Sequence, residues 1–190
     1  MATKKYVSDY RPVFETDANG RVRQRYEYIG PYFGYRLGGE ALRREKKRCA
    51  ALALCCVPLL IVPLSVTGPI IRRGGVMAPL AFGVLPVAKL LFCTLRALGG
   101  KDRFTRREKD AVAGQLAPWS FALLFLCALS LVFQVRFWLS GEGTAADLAV
   151  SLSTLGLCVP AALLFSRRRS LEMEEERADN ADSYGENRVD

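Results

Sequence analysis

Four long apolar blocks alternate with charged segments along this chain. No charged residue lies in 49–71, 111–135 or 148–166, and 74–95 contains only Lys89. A membrane-spanning helix needs about 20 mostly apolar residues to cross roughly 30 Å of hydrocarbon. The pattern therefore predicts an all-α integral membrane protein built as a four-helix transmembrane bundle. We expect the spans near residues 49–67, 76–96, 118–139 and 146–166.

Basic residues accumulate on alternate sides of these blocks. Twelve lysines and arginines precede the first predicted span and five lie between the second and third spans, whereas 140–147 contains none. The positive-inside rule then predicts that both termini are cytosolic, which an even number of spans also requires. The polar first 48 residues show no signal peptide, so we expect an uncleaved first span. The arginine-rich composition, with a net charge of +8, suits a multi-pass protein of the bacterial inner membrane, the cell membrane.

The segment "VFETDANGRVRQRYEYIG" has the pattern of a small N-terminal cytosolic β-hairpin with its turn at 17–20. In the expected register the pairs are Tyr10 with Tyr28, Pro12 with Tyr26, Phe14 with Gln24, and Thr16 with Val22. One face, which we call the aromatic face, then carries Tyr10, Phe14, Val22, Tyr26 and Tyr28. A lone two-stranded hairpin is only marginally stable in water. We therefore expect the aromatic face to cover the cytosolic mouth of the bundle, the lipid interface or another protein.

The charged segments divide the chain into three parts. These are a cytosolic N-terminal segment with the hairpin at 1–38, a transmembrane domain at 39–169 and an acidic cytosolic tail at 170–190. Thr105 and Glu108 have the spacing of a capping box, which predicts that the third span begins as a helix before the lipid. We expect the tail to continue the fourth span as a short helix and then to be solvated.

The residue types exclude several chemistries. The chain has no histidine, which excludes histidine-based triads, metal ligands and proton shuttles. Its six cysteines form no C-x-x-C pair and lie in or beside apolar blocks, as buried packing residues do. No acid pair, nucleophile–base set or metal cluster is visible, so we predict no enzymatic activity, no cofactor and no metal. We expect Ser151, Ser153 and Thr154 to bond backbone carbonyls of neighbouring helices.

Two basic side chains inside the predicted spans are candidate functional residues. Lys89 is near the middle of the second span and Arg136 is near the outer end of the third. An intramembrane charge is by default a functional candidate, but no Asp or Glu in the apolar cores matches Lys89. The Lys89 ammonium has three interpretations: it extends to the cytosolic interface, binds a carbonyl freed by a proline, or contacts a substrate. We expect Arg136 to extend outward toward Glu142 or Asp147.

The basic cluster before the first span is a candidate contact for anionic lipid. It consists of Arg43, Arg44, Lys46, Lys47 and Arg48. Because these residues adjoin a membrane span, lipid is a nearer partner than nucleic acid, which we do not expect to bind. The expected partners are the lipid bilayer and either another membrane protein or a second copy of the chain.

The tyrosine-rich start "KYVSDYRPVFETDANGRVRQRYEYIGPYF", followed by four apolar helices, resembles a group of small bacterial four-span membrane proteins. The resemblance covers the layout of the whole chain, and it implies a multi-pass membrane protein without a catalytic motif. We therefore predict a non-enzymatic structural or accessory subunit of a membrane complex. The alternative is a small homo-oligomeric transporter or channel with Lys89 at its pathway.

Overall fold

The computed structural model of the chain describes residues 4–16, 22–66, 68–72, 74–99, 103–141 and 143–175. The α-helices of this part are α1 (Gly39–Ser65), α2 (Gly74–Phe82), α3 (Val84–Leu98), α4 (Arg106–Leu139) and α5 (Ala145–Ser166). The strands are β1 (Tyr10–Thr16), β2 (Val22–Tyr28), β3 (Phe33–Tyr35) and β4 (Met173–Glu175). Short 3-10 helices occupy Lys4–Asp9 and Arg167–Leu171.

The α-helices form a bundle of four helical segments, because α2 and α3 together make up the second segment. The segments Gly39–Ser65, Gly74–Leu98, Arg106–Leu139 and Ala145–Leu171 are each long and apolar enough to cross a membrane. This result confirms the four long apolar helices predicted from the sequence. α1 packs against α3 and α5, and α4 packs against α2, α3 and α5, so the segments form a closed ring.

The second segment is interrupted at Gly83 for a local chemical reason. Pro86 has no backbone N–H and cannot donate to the carbonyl of Phe82, which removes one helical hydrogen bond at this point. The Gly83 N–H still donates to the carbonyl of Pro79 at 3.0 Å, and Val87 donates to Gly83 at 3.2 Å. α2 and α3 therefore follow one another almost without a gap.

Two helices begin well before their apolar blocks. α1 begins at Gly39 and includes the whole basic cluster. α4 begins at the predicted capping box, where the Thr105 Oγ1 accepts from the Glu108 N–H at 3.4 Å and the Thr105 N–H donates to the Glu108 carboxylate at 3.1 Å. That prediction is confirmed. α4 ends just before Gly141, whose φ of +78° is a conformation that glycine adopts without a steric penalty.

The two ends of the bundle are held by different contacts. At one end, Arg167 Nη1 lies 2.5 Å from Glu45 Oε2 and joins the last residues of the helical region to α1. At the other end, the Ile70 N–H donates to Asp147 Oδ1 at 3.1 Å and joins the α1–α2 connection to α5. We call the first the terminal end, because the hairpin and β4 lie there, and the second the loop end.

The centre of the bundle is filled by small and branched apolar side chains. Ala53 and Cys56 on α1, Leu90 on α3, Leu123 on α4 and Leu157 on α5 are all fully buried. All six cysteine thiols are free, and four of them are buried. These thiols pack as small apolar groups between the helices.

The N-terminal hairpin has the predicted register. β1 and β2 are antiparallel, and the pairs are Tyr10 with Tyr28, Pro12 with Tyr26, Phe14 with Gln24, and Thr16 with Val22. The predicted turn at 17–20 lies outside the described residues. The rings of Tyr10 and Tyr28 meet edge to face with centroids 5.3 Å apart and close the base of the hairpin.

A second small sheet brings three distant parts of the chain together. β3 pairs antiparallel with β4, and on its other side Phe33 exchanges two backbone hydrogen bonds of 2.9 Å with Phe104. The side chains of Phe33, Ala97, Phe104, Val112 and Met173 form a separate apolar cluster beneath this sheet. The expectation of a short helix followed by a solvated tail is therefore wrong for Met173–Glu175, which form a paired strand. The alternation of apolar and acidic residues in "LEMEE", 171–175, is the period of a strand.

Candidate functional site

The outer surface of the bundle is apolar along all four helical segments. The large apolar side chains that are at least half exposed there are Leu54, Ile61, Phe82, Leu85, Phe92, Leu95, Phe121, Phe125, Val132, Val135, Leu139, Leu148, Leu152, Leu155 and Val159. Soluble monomers rarely expose a contiguous apolar patch larger than about a few hundred Å². The surface fits an apolar environment better than water.

Polar side chains lie in the interior of the same bundle. The Gln134 amide nitrogen donates to Ser130 Oγ at 3.1 Å and to Thr154 Oγ1 at 3.0 Å, which links α4 to α5. Ser130 in turn donates to the carbonyl of Val76 on α2 at 3.3 Å. The Gln134 carbonyl oxygen is buried and has no hydrogen-bond partner among the residues that the structure describes. An amide and two hydroxyl groups join the helices here, but they provide neither a base nor an activated nucleophile.

Gln134 was not among the residues predicted from the sequence. The available signal was a glutamine inside an apolar block, since a polar side chain in a membrane span normally faces other helices. Of the three polar residues predicted to bond carbonyls of neighbouring helices, Ser153 does so, donating to Leu59 on α1 at 2.7 Å. The prediction is wrong for Ser151 and Thr154, which donate within α5 to Asp147 at 3.1 Å and Val150 at 2.8 Å.

Asp147 joins the α1–α2 connection to α5 at the loop end of the bundle. Its side chain is fully buried, and its carboxylate accepts from the Ile70 N–H at 3.1 Å, the Thr144 N–H at 2.9 Å and the Thr144 hydroxyl at 2.6 Å. A Cβ atom on Gly68 would lie 2.6 Å from Asp147 Oδ1, so the connection between α1 and α2 can approach this carboxylate only as glycine. Arg136 is exposed, and Asp147 is bonded to backbone and hydroxyl groups. Glu142, the other partner expected for Arg136, lies outside the described residues.

Lys89 lies on the outer side of α3. Its side chain is exposed, whereas the neighbouring Val87 and Leu90 are buried in the bundle. Arg96, two turns further toward the terminal end, is also exposed. The Lys89 side chain therefore faces the surroundings of one bundle and not its interior.

The five basic residues predicted to contact anionic lipid lie in different surroundings. Arg43 and Lys47 are exposed. Arg44 and Arg48 are exposed too, but they pair with Glu40 at 3.3 Å and Glu45 at 2.8 Å, respectively. Lys46 is only 8% exposed, and its ammonium lies 4.2 Å from the centroid of the Tyr35 ring, an arrangement typical of a cation–π contact. Four of the five side chains thus reach the surface.

The aromatic face of the hairpin is buried at its base and exposed toward its tip. Phe14 is 67% exposed, Val22 65% and Tyr26 63%, whereas Tyr10 and Tyr28 are half-buried. A groove of about 600 Å³ runs beside this face. Its lining residues are Tyr6, Val7, Tyr10, Pro12, Gln24, Tyr26 and Arg107.

Tyrosine hydroxyl groups attach the hairpin to the bundle. Tyr28 donates to the carbonyl of Pro31 at 2.8 Å and accepts from the Arg106 N–H at 3.0 Å, at the start of α4. Tyr6 donates to Asp110 on α4 at 2.7 Å. Burial raises the pKa of Tyr28, and it raises the pKa of Tyr35 to about 12. These two phenols therefore stay neutral to a higher pH than a solvated tyrosine, and the buried Tyr35 hydroxyl has no hydrogen-bond partner among the described residues.

No group of three histidine, cysteine, aspartate or glutamate side chains within the described ranges is placed to hold a metal ion. The described residues provide hydrogen bonds between helices inside the bundle, and an aromatic surface with a groove at the hairpin. No family model, no curated protein and no solved structure matches this chain. Function must therefore be inferred from the chain itself.

Proposed function

We propose that the chain is a four-span protein of the cell membrane that acts as a non-enzymatic structural or accessory subunit. In this proposal, the aromatic face of its cytosolic hairpin is the surface that contacts a partner membrane protein. One observation carries the proposal: Phe14, Val22 and Tyr26 are each more than 60% exposed in the described structure. An isolated two-stranded hairpin is only marginally stable in water, so a partner that covers its apolar face stabilises it.

The distribution of polar and apolar groups supports insertion into a bilayer. Apolar side chains face outward along all four segments, while Ser130, Gln134, Ser153 and Thr154 are buried between helices. Water favours the reverse arrangement, and lipid tails favour this one. Since basic residues cluster at the terminal end, the positive-inside rule favours a cytosolic position for that end.

A pathway through a single bundle is less well supported. Lys89 is exposed on the outer side of α3, and the centre of the bundle is filled by fully buried apolar groups such as Leu90 and Leu123. A conducting or transporting role would then need Lys89 at a contact between copies. No feature of the described residues favours that arrangement over an outward lysine whose ammonium reaches the interface.

Membrane insertion and orientation are tested together. In native membranes, the chain should resist extraction by alkaline carbonate. Reporter domains fused after 190 and inserted within 140–147 should report the cytosolic and the opposite side, respectively. Release of the chain by carbonate, or the same side for both reporters, contradicts the proposed topology.

The partner surface is tested by photo-crosslinking in native membranes. A photo-reactive residue replaces Tyr26 on the aromatic face or, as the matched control, Glu27 on the opposite face of the same strand. We expect a discrete cross-linked product from position 26 and little from position 27. Equal yields from the two positions, or no product from either, argue against a docking role for this face.

A further inference from the structure

A cavity at the terminal end lies between the base of the hairpin, the end of α3 and the start of α4. Its volume is about 340 Å³, and its lining residues are Tyr10, Arg96, Thr105, Arg107, Glu108 and Ala111. It shares Tyr10 and Arg107 with the groove beside the aromatic face. Residues from three separate parts of the chain thus enclose one space.

Two arginine side chains and one carboxylate line the cavity. Arg96 and Arg107 are exposed, and neither forms an ion pair with any residue that the structure describes. The carboxylate is that of Glu108, which accepts from the Thr105 N–H at 3.1 Å in the capping box. The lining side chains therefore carry a net positive charge, which a bound anion offsets.

The chemistry of the cavity favours a phosphate group. The guanidinium fork of arginine matches the oxygen atoms of phosphate in a bidentate arrangement, and the Tyr10 hydroxyl can donate a further hydrogen bond. The turns of α3 that precede Arg96 carry Phe92 and Leu95 outward, 58% and 60% exposed. A phosphate in the cavity would therefore lie directly next to an apolar surface that fits acyl chains.

We propose that this cavity binds the phosphate of an anionic phospholipid headgroup, with the acyl chains along the outer side of α3. The inference rests on the proposed membrane location, because basic pockets at the cytosolic ends of spans meet anionic headgroups there. Arg96 and Arg107 hold the phosphate, and the ring of Tyr10 covers the headgroup. This site is separate from the basic cluster at the start of α1.

The test measures lipid retention by the purified full chain in detergent. Native mass spectrometry and thermal unfolding are followed while phosphatidylglycerol or phosphatidylcholine is added. We expect phosphatidylglycerol to be retained and to raise the Tm. In the double variant Arg96→Gln/Arg107→Gln, we expect at least about tenfold weaker retention, because two charge-assisted contacts are lost. The variant Arg96→Lys/Arg107→Lys keeps the charge without the fork and should lie between the two.

The matched control is Arg168→Gln/Arg169→Gln, which removes the same charge from exposed positions at the same end of the bundle. We expect this control to retain phosphatidylglycerol within about twofold of the unmodified chain, since the phosphate-binding fork is intact. Equal losses in both double variants would mean general electrostatic attraction and would overturn the site. Equal retention of the two lipids would also overturn it.

Inorganic phosphate alone separates the two possible sources of the anion. If it raises the Tm of the unmodified chain as much as phosphatidylglycerol does, and displaces that lipid, the ligand is a soluble phosphate and the lipid assignment is wrong. The carbonate extraction described above keeps the two proposals distinct. A chain that stays in the membrane but retains phosphatidylglycerol regardless of Arg96 and Arg107 overturns the cavity site alone.

Discussion

Pro63 leaves the Leu59 carbonyl in the interior of α1 without its helical partner, because proline has no backbone N–H. Ser153 on α5 supplies the missing donor at 2.7 Å, and its side chain is only 7% exposed. At the scale of a residue, the Ser153 hydroxyl therefore replaces the hydrogen bond that Pro63 removes from α1. Its contribution depends on Pro63, and that dependence can be measured.

Ser153→Ala should lower the free energy of unfolding by about 1–2 kcal/mol, because a carbonyl between helices loses its partner. In a Pro63→Ala background the restored N–H at position 63 bonds to Leu59, so the cost of Ser153→Ala should become much smaller. Unfolding in mixed micelles measures both changes. Ser120→Ala is the matched control, since buried Ser120 donates within its own helix, to Leu116 and Ala117. Equal costs in the two backgrounds would refute the coupling.

Because the Tyr35 hydroxyl is buried, we expect the stability of the folded chain to fall at alkaline pH. Burial raises its pKa from 10.0 to about 12, so the folded chain keeps the phenol neutral where the unfolded chain ionises it. This contribution to stability is fully present below about pH 10 and is lost as pH rises toward 12. Tyr35→Phe should remove that part of the fall in Tm, and Tyr32→Phe, at an exposed ring, is the control. Parallel curves for the unmodified chain and Tyr35→Phe would contradict the prediction.

At the scale of elements, a small sheet holds the terminal end together. The sheet consists of β3, β4 and Phe104, which pairs with Phe33 as an isolated bridge. It joins the segment before α1, the α3–α4 connection and the residues after α5. Met173 is 3% exposed in the cluster with Phe33 and Phe104, whereas Glu174 beside it is exposed. Met173 is therefore the side chain through which this three-residue strand packs on the apolar cluster.

Met173→Ala should destabilise the terminal end by about 2 kcal/mol, at the low end for a buried methionine because the cluster is small. The local effect is measured as faster chymotrypsin cleavage at Phe33 and Phe104. Glu174→Ala removes only an exposed pair with Arg36, 3.5 Å long, and should change the cleavage rate little. The same cleavage rate in both variants would mean that β4 does not protect these residues.

At the scale of the whole molecule, the outer surface of the bundle is apolar as well as its interior, which distinguishes it from a water-soluble bundle. Phe125 is 60% exposed near the middle of the apolar part of α4, and Leu139 is 83% exposed at the last residue of the same helix. Both positions face outward but at different depths of the proposed bilayer. The two positions therefore distinguish lipid from water as the surrounding medium.

Phe125→Arg should oppose membrane insertion by about 2.5–3.5 kcal/mol, the cost of a basic residue at the centre of a span. Leu139→Arg, at the end of the helix, should be close to neutral because its side chain reaches the interface. The fraction of each variant that resists carbonate extraction measures the difference. If the two variants insert equally well, the outer face of α4 does not lie in lipid.

Local patterns along the chain were sufficient to predict its four helical segments and the hairpin, but not β3 and β4. The length of the uncharged blocks predicted four long apolar helices, and the spacing of Thr105 and Glu108 predicted the start of α4. The alternation on either side of 17–20 predicted the hairpin register residue by residue. Each of these features depends on residues close in sequence, where the periods of helix and strand act directly.

Tertiary packing decided which side each polar group faces and which distant segments meet. The outward position of Lys89, the contact of Lys46 with the Tyr35 ring and the pairing of β4 with β3 do not follow from local pattern. The bond from Ser153 to Leu59 joins residues 94 positions apart. Such contacts depend on how each helix is rotated about its axis, and that rotation is set by packing against its neighbours in the ring.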